Sequence, residues 1–319
     1  MTEYKFIGCD FSGIEARVTA WVASQNDKLD IFRRGECVYC AAATGIFGRT
    51  ITKKEKDERQ CGKCSELALG YAGGIAAYFK MCQMYGVSLA SVVPLIWGSA
   101  TDDEKNKAEF VYSMYASAAI DNDVEYFEKG EGLVADVIKQ RWRAVNPNVV
   151  RLWEDINSAA IEAAKTDKRV SFANGKGAFY TIQTKGGKFL EMELPSGHTI
   201  SYFKPEVQMR SKFGKPTETL TYVHEDPISK QIVRTTTYGG KLLENYVQAV
   251  SRDIMVESMF EVRKLPETKI NLTIHDEILA RVPQYVKLEL IEQVMSKQVP
   301  WALDLPIAVE GWEGLRFKK

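Results

Sequence analysis

The 319-residue chain is poor in cysteine and carries no excess of either charge. It also lacks any long apolar run free of polar residues. Its six cysteines are too few for a disulfide scaffold, so a buried apolar core has to hold the fold. Lysine plus arginine number 42 and aspartate plus glutamate 42, a formal net charge of +0. That excludes a wholesale basic coat but leaves room for a locally basic cleft, because steering depends on where charge sits. The opening MTEYKFIGCD lacks the basic-then-apolar order of a secretory leader. One uncharged stretch, Met81 to Thr101, is long enough to span a bilayer. It contains Gln83, Gly86, Ser88, Ser91, Pro94 and Gly98, too polar for hydrocarbon. Neither an internal repeat nor a low-complexity linker interrupts the chain. With 45% hydrophobic and 26% charged residues, disordered and fibrous classes are excluded as well. The expectation is a soluble, cytoplasmic protein with no membrane partner.

Periodicity supplies the organisation. Tyr4 to Cys9 reads as a buried strand leading into Asp10, and Ser12 to Ser24 as a helix with Ile14, Val18, Trp21 and Val22 on one face. A charged, helix-rich middle follows, broken near Gly70 to Gly74, at Pro94 and at Asn146-Pro147. Arg151 to Lys165 is a further amphipathic helix, and Val170 to about Thr237 turns to strand-like pieces. Leu242 to Val262 resumes a helix, and two short strands then meet at His275-Asp276-Glu277. Strand pieces at both ends around a helical insertion predict one α+β body whose first and last segments meet.

Four cysteines form CVYC (Cys37, Cys40) and CGKC (Cys61, Cys64), twenty residues apart, the double C-x-x-C spacing of a tetrahedral zinc site. Helical context argues against it, since zinc knuckles prefer tight turns. A zinc-dependent nucleic-acid-binding module stays open as the alternative function.

Three further constellations carry chemistry. In DFSGIEAR, Asp10 ends a buried strand and can hold magnesium, while Ser12 and Glu15 fit the S-x-x-E capping box of a helix start. In IHDEI, adjacent Asp276 and Glu277 repel each other at a turn, which a cation relieves; an ordinary solvated turn is the other reading. Arg59, Lys63, Leu67, Gly70 and Tyr71 share one helix face, as a phosphate grip or as a solvated basic stripe. A metal-assisted phosphodiesterase would use the same carboxylates without needing that face.

Taken in order, the three resemble motifs A, B and C of family A DNA polymerases, the group related to bacterial DNA polymerase I, and most closely its bacteriophage members. Asp10, Phe11, Ser12, Ile14, Glu15 and Arg17 match motif A; Arg59, Lys63 and Tyr71 match motif B; His275, Asp276 and Glu277 match motif C. ENYVQAVSRDI resembles the family's N-x-x-Q helix, and the likeness runs from about Tyr4 to Pro306. Leu67 departs where the family carries an aromatic residue, and Ala72 where it carries glycine.

The resemblance implies template-directed DNA synthesis by two-metal nucleotidyl transfer on primer-template DNA with dNTPs. Asp10 and Asp276 would bridge two Mg2+ ions, with Glu277 accessory; zinc would be at most a structural extra. Arg59, Lys63, Leu67, Tyr71, Tyr39 and Glu15 would bind the nucleotide, Lys63 protonating pyrophosphate and Glu15 walling off a ribose 2′-hydroxyl. Asn245, Gln248, Arg252 and His275 would face DNA. The implied architecture is an antiparallel palm sheet with packed helices and a large helical fingers insertion. Palm segments would be 1–28 and 233–319, with 29–232 holding the fingers and the following β-rich segment. Nine residues before Asp10 leave no room for a thumb. A second chain is therefore expected to supply the thumb, with or without an exonuclease domain, and to cover apolar surface near Phe6, Val18 and Val22. A phage-encoded chain would work in the host cytoplasm.

Overall fold

Ile7, Cys9 and Phe11 alternate along the first strand, β1 (Tyr4–Phe11), and all three are buried, the two-residue period of a sheet face packed on a core. The computed structural model describes residues 3–122, 128–212 and 215–317. Helix α1 (Ile14–Val22) follows, burying Val18, Trp21 and Val22. The chain then runs through α2 (Asn26–Arg33), α3 (Val38–Phe47), α4 (Lys56–Leu69), α5 (Ile75–Met84), α6 (Val93–Ser99), α7 (Asp102–Asn122), α8 (Lys129–Val145) and α9 (Pro147–Thr166). Six strands come next: β2 (Val170–Phe172), β3 (Gly177–Thr184), β4 (Gly187–Glu193), β5 (Thr199–Lys212), β6 (Lys215–Glu225) and β7 (Ile232–Thr236). The last elements are α10 (Gly239–Arg263), β8 (Lys269–Ile274), β9 (Glu277–Pro283), α11 (Leu288–Met295) and β10 (Val309–Gly314).

Two compact units divide the chain. The first comprises Met1–Ser24, Asp155–Tyr238 and Leu242–Lys319; the second comprises Gln25–Glu154 and Gly239–Lys241. In the first, a four-stranded sheet of order β10-β1-β9-β8 has β1 antiparallel to both neighbours. An N-terminal strand thus sits between strands from the other end of the chain, the expected meeting of first and last segments. Strands β2 to β7 form a second antiparallel sheet in sequence order. Helix α10 buries Leu243, Val247, Val250 and Ile254 at helical spacing. Its Tyr246 hydroxyl donates to the Lys176 carbonyl at 2.7 Å, and its ring lies edge-on to Phe172. The β-rich segment and the terminal strands belong to the same unit. The fold is mixed α+β with antiparallel sheets.

The second unit is helical. Lys28 donates to both carboxylate oxygens of Glu66 at 2.9 and 2.8 Å, and the Trp142 indole donates to Glu66 at 2.9 Å. This buried cluster anchors the inner side of α4. Gly62 lets α3 approach, because a Cβ there would stand 2.2 Å from the Tyr39 carbonyl oxygen.

Two sequence expectations are corrected. Val18 and Val22 do not face water: they are 0% and 1% exposed, while Phe6 is half-buried. The Ser12–Glu15 capping box does not form either. Gly13, at φ +62°, is the N-cap of α1, and no side chain caps it. Ser12 instead gives its N–H to the Ala308 carbonyl and its carbonyl to the Arg17 guanidinium. Among the described residues no helix is long and apolar enough to cross a membrane.

Candidate active site

The carboxylates come together at one end of the four-stranded sheet. Ile274 pairs with Glu277, so His275 and Asp276 form a two-residue turn between β8 and β9. His275 has φ +55°, a conformation that costs a residue with a side chain. The Phe11 N–H donates to the Asp276 carbonyl at 3.3 Å, bringing the motif A and motif C backbones side by side. Asp10 is exposed, Asp276 half-buried, His275 exposed and Glu277 buried. Asp10 is register partner to Glu277 on one side and Glu310 on the other, and directly opposed residues share a sheet face. Opposed like charges destabilise a sheet unless a cation or donor compensates. For Glu277 a donor is present: the Trp312 indole N–H, 2.9 Å from Oε1. Gly8 makes room, since a Cβ there would stand 2.5 Å from the Trp312 ring and 2.6 Å from that oxygen.

Arg17 is buried, with Nε donating to the Ser12 carbonyl at 2.7 Å and its terminal nitrogen to the Pro306 carbonyl at 3.1 Å. Burial lowers its pKa while Glu310 opposes the shift. It fixes the loop that carries Asp10 into α1. Glu15 lies half-buried in the first turn of α1. The neighbouring Cys9 thiol is pushed up to about 12 by burial and then by Glu292 and Glu277, so it stays protonated.

In the helical unit, Arg59, Lys63 and Leu67 lie half-buried along one face of α4, with Tyr71 just past its end. The opposite face buries Cys61, Cys64, Ser65, Ala68 and Leu69. Each cation rests on an aromatic ring: Arg59 over Tyr39 at 5.5 Å, Lys63 over Tyr85 at 4.3 Å. Arg59 Nε also donates to the Cys37 sulfur at 3.4 Å. Tyr85 and Trp312 escaped the sequence reading, because both act through tertiary contacts that no spacing rule encodes.

On α10, Asn245, Gln248 and Arg252 stand at positions i, i+3 and i+7, one helix face. Asn245 donates to the Tyr202 hydroxyl at 3.0 Å, while Gln248 and Arg252 are exposed.

Among the described residues no three His, Cys, Asp or Glu side chains converge to hold a metal ion. Of the four cysteines in the zinc alternative, Cys37 and Cys40 turn to Arg59 and to each other, and Cys64 pairs with Cys82. Magnesium has a different requirement. One or two carboxylates plus substrate phosphates and water complete its shell, and exposed Asp10 with half-buried Asp276 fits that donor set.

No family model matches the chain. Its sequence is 31% identical to a DNA polymerase of Bacillus phage SP02 over 318 residues, 99% of this chain and 41% of that one. It is 22% identical to DNA polymerase I of Chloroflexus aurantiacus over 255 residues, 79% of this chain and 23% of that one. The chain therefore spans well under half the length of these relatives. In fold it is similar to the POL domain of Pol1 from M. smegmatis, solved in complex with DNA primer-template and dNTP. The TM-score is 0.53 at 16% identity, over 98% of this chain and 39% of that one. The chain is a homologue of part of the DNA polymerase I-like, family A, enzymes.

Proposed function

We propose that the chain performs template-directed DNA synthesis, adding deoxynucleotides to a primer 3′-hydroxyl with release of pyrophosphate. The observation that carries this reading is the adjacency of Asp10 and Asp276, 266 positions apart in sequence, at neighbouring backbone sites. Two Mg2+ ions, when bound at Asp10 and Asp276, supply Lewis-acid stabilisation of the attacking and leaving oxygens. Glu277, held by Trp312, is an accessory carboxylate. Arg59 grips the far end of the triphosphate as a planar fork. Lys63 neutralises its charge and protonates the departing pyrophosphate. Tyr39 and Tyr85 back these two cations, Tyr71 stacks near the templating base, and Leu67 and Glu15 bound the sugar. Asn245 and Gln248 hydrogen-bond minor-groove acceptors common to all base pairs, and Arg252 and His275 touch the DNA. In this reading the terminal strands β1, β8, β9 and β10 form the palm and helices α2 to α8 the fingers.

The test is dNTP-dependent primer extension in magnesium with wild type, Asp10→Ala and Asp276→Ala. Extension by wild type and none by either folded variant supports the reading. Turnover in either variant overturns the metal assignment, and primer shortening without extension points to a phosphodiesterase. We also propose that a second chain contributes the duplex clasp, because residues summing to a net charge of +0 offer few surplus cations to neutralise duplex phosphates. Long products from this chain alone, in a single encounter under a heparin trap at physiological salt, would refute that.

A further inference from the structure

Cys37 and Cys40 form a C-x-x-C placed at a helix start. Cys37 is the N-cap of α3, and Cys40 lies one turn inside. Cys37 is half-exposed and Cys40 is 8% exposed, an accessible sulfur with a sheltered partner behind it. Arg59 Nε donates to Cys37 at 3.4 Å, and the Cys40 thiol donates to the same sulfur. Burial works to raise the Cys37 thiol, but the Cys40 amide, the Arg59 guanidinium and the Cys40 thiol outweigh it and hold it below its ordinary value. Burial and then Cys37 push Cys40 up to about 11. This is the division of labour of a nucleophilic and a resolving cysteine. Cys61, Cys64 and Cys82 are buried and lack such access.

We propose that Cys37 and Cys40 are a reversible dithiol–disulfide couple that sets how firmly Arg59 is held. The consequence for dNTP binding rests on the role given to Arg59 above. The oxidant is a small-molecule disulfide of the glutathione class. The Cys37 thiolate attacks one of its sulfurs, forming a mixed disulfide and expelling a thiolate that takes up a proton. Cys40 then gives up its proton and attacks the Cys37 sulfur, closing the intramolecular bond and releasing the second thiol. Two protein thiols are oxidised and one small disulfide is reduced to two thiols. In the dithiol state the Cys37 sulfur anchors Nε, leaving the two terminal nitrogens of Arg59 for phosphate. In the disulfide state the Cys37 sulfur is tied to Cys40 and is a poorer acceptor, and Arg59 keeps the Tyr39 ring.

The test equilibrates the whole chain in glutathione buffers of graded oxidised-to-reduced ratio, traps free thiols with N-ethylmaleimide and maps the cross-linked peptide by mass. The expected result is a Cys37–Cys40 link while Cys9, Cys61, Cys64 and Cys82 remain alkylatable after denaturation. KM for dNTP rises about three- to tenfold with kcat nearly kept, the scale of one charge-assisted hydrogen bond partly lost. Dithiothreitol reverses the change, and Cys40→Ser and Cys40→Ala lack it. A mixed disulfide that stops at Cys37, a Cys64–Cys82 link in its place, or a mapped Cys37–Cys40 link with unchanged KM overturns the proposal. Failure of the polymerase reading would show separately, as no dNTP-dependent extension by the fully reduced wild-type chain, and failure of the Arg59 role as an Arg59→Ala chain whose KM matches wild type.

Discussion

Trp312 donates its indole N–H to Glu277 across 2.9 Å, and both side chains lie over Gly8, which has no Cβ to separate them. A buried carboxylate at the end of β9 is thereby held by a residue from the last strand of the sheet. Trp312→Phe keeps a ring but removes the donor, at an expected cost of about 1–3 kcal/mol. Gly8→Ala drives a methyl into the pair and costs about 1–3 kcal/mol by overpacking. Urea unfolding reads both losses, and primer extension should slow in each. Unchanged extension by a clearly destabilised Trp312→Phe chain would mean that Glu277 needs no holding.

Glu15 separates two roles that its sequence position confounds. Gly13 is the N-cap of α1 and no side chain caps it, so Glu15→Ala should lack the loss of about 0.5–2 kcal/mol expected for a missing cap. Ribonucleotide incorporation relative to deoxynucleotide should rise. A thermal midpoint that falls while sugar selection holds would reverse the assignment.

Leu67 lies between Lys63 and Tyr71 on the half-exposed face of α4 and presents neither ring nor hydroxyl. Dideoxynucleotides should be poor substrates for the natural chain and better ones for Leu67→Tyr. Equal incorporation by both proteins in a competition assay would remove Leu67 from the nucleotide site.

The Lys28–Glu66 pair is nearly sealed from solvent, with side chains 10% and 5% exposed. Glu66→Ala leaves a buried ammonium beside Trp142 and should cost about 3–5 kcal/mol. Replacing both partners by apolar residues of similar volume should recover most of that. If the single change is nearly neutral in urea unfolding, the cluster does not anchor α4.

Local signals were legible where one face of an element is buried. The alternation of Ile7, Cys9 and Phe11 announces β1, and the spacing of Arg59, Lys63 and Leu67 announces the half-exposed face of α4. The hairpin at His275-Asp276 is readable from two apolar runs flanking carboxylates. What escaped depends on chain geometry or distant partners. S-x-x-E looks like a cap until Gly13 takes φ +62° and starts the helix one residue later. In VEGWEG no buried alternation marks β10, so Trp312 gives no hint that it serves Glu277. The stacking of Lys63 on Tyr85 needs the end of α5 folded back beside α4, which no helical spacing reports.

The placement of β1 between β9 and β10 also dictates an order of events during synthesis. Asp10 is polymerised long before the strands that pair with it, β9 and β10. At about 5–20 residues per second, the interval before Asp276 is even polymerised is roughly 15–50 s. The helical unit, rich in local contacts, can mature in that time, while β1 waits with both edges unpaired. Nascent chains stalled before β9 should bind chaperones through this strand and lose that binding once β10 emerges. On the assignment proposed above, the Asp10–Asp276 pair exists only once β9 has joined β1, so a chain stopped before β9 lacks it however well its helical unit has folded.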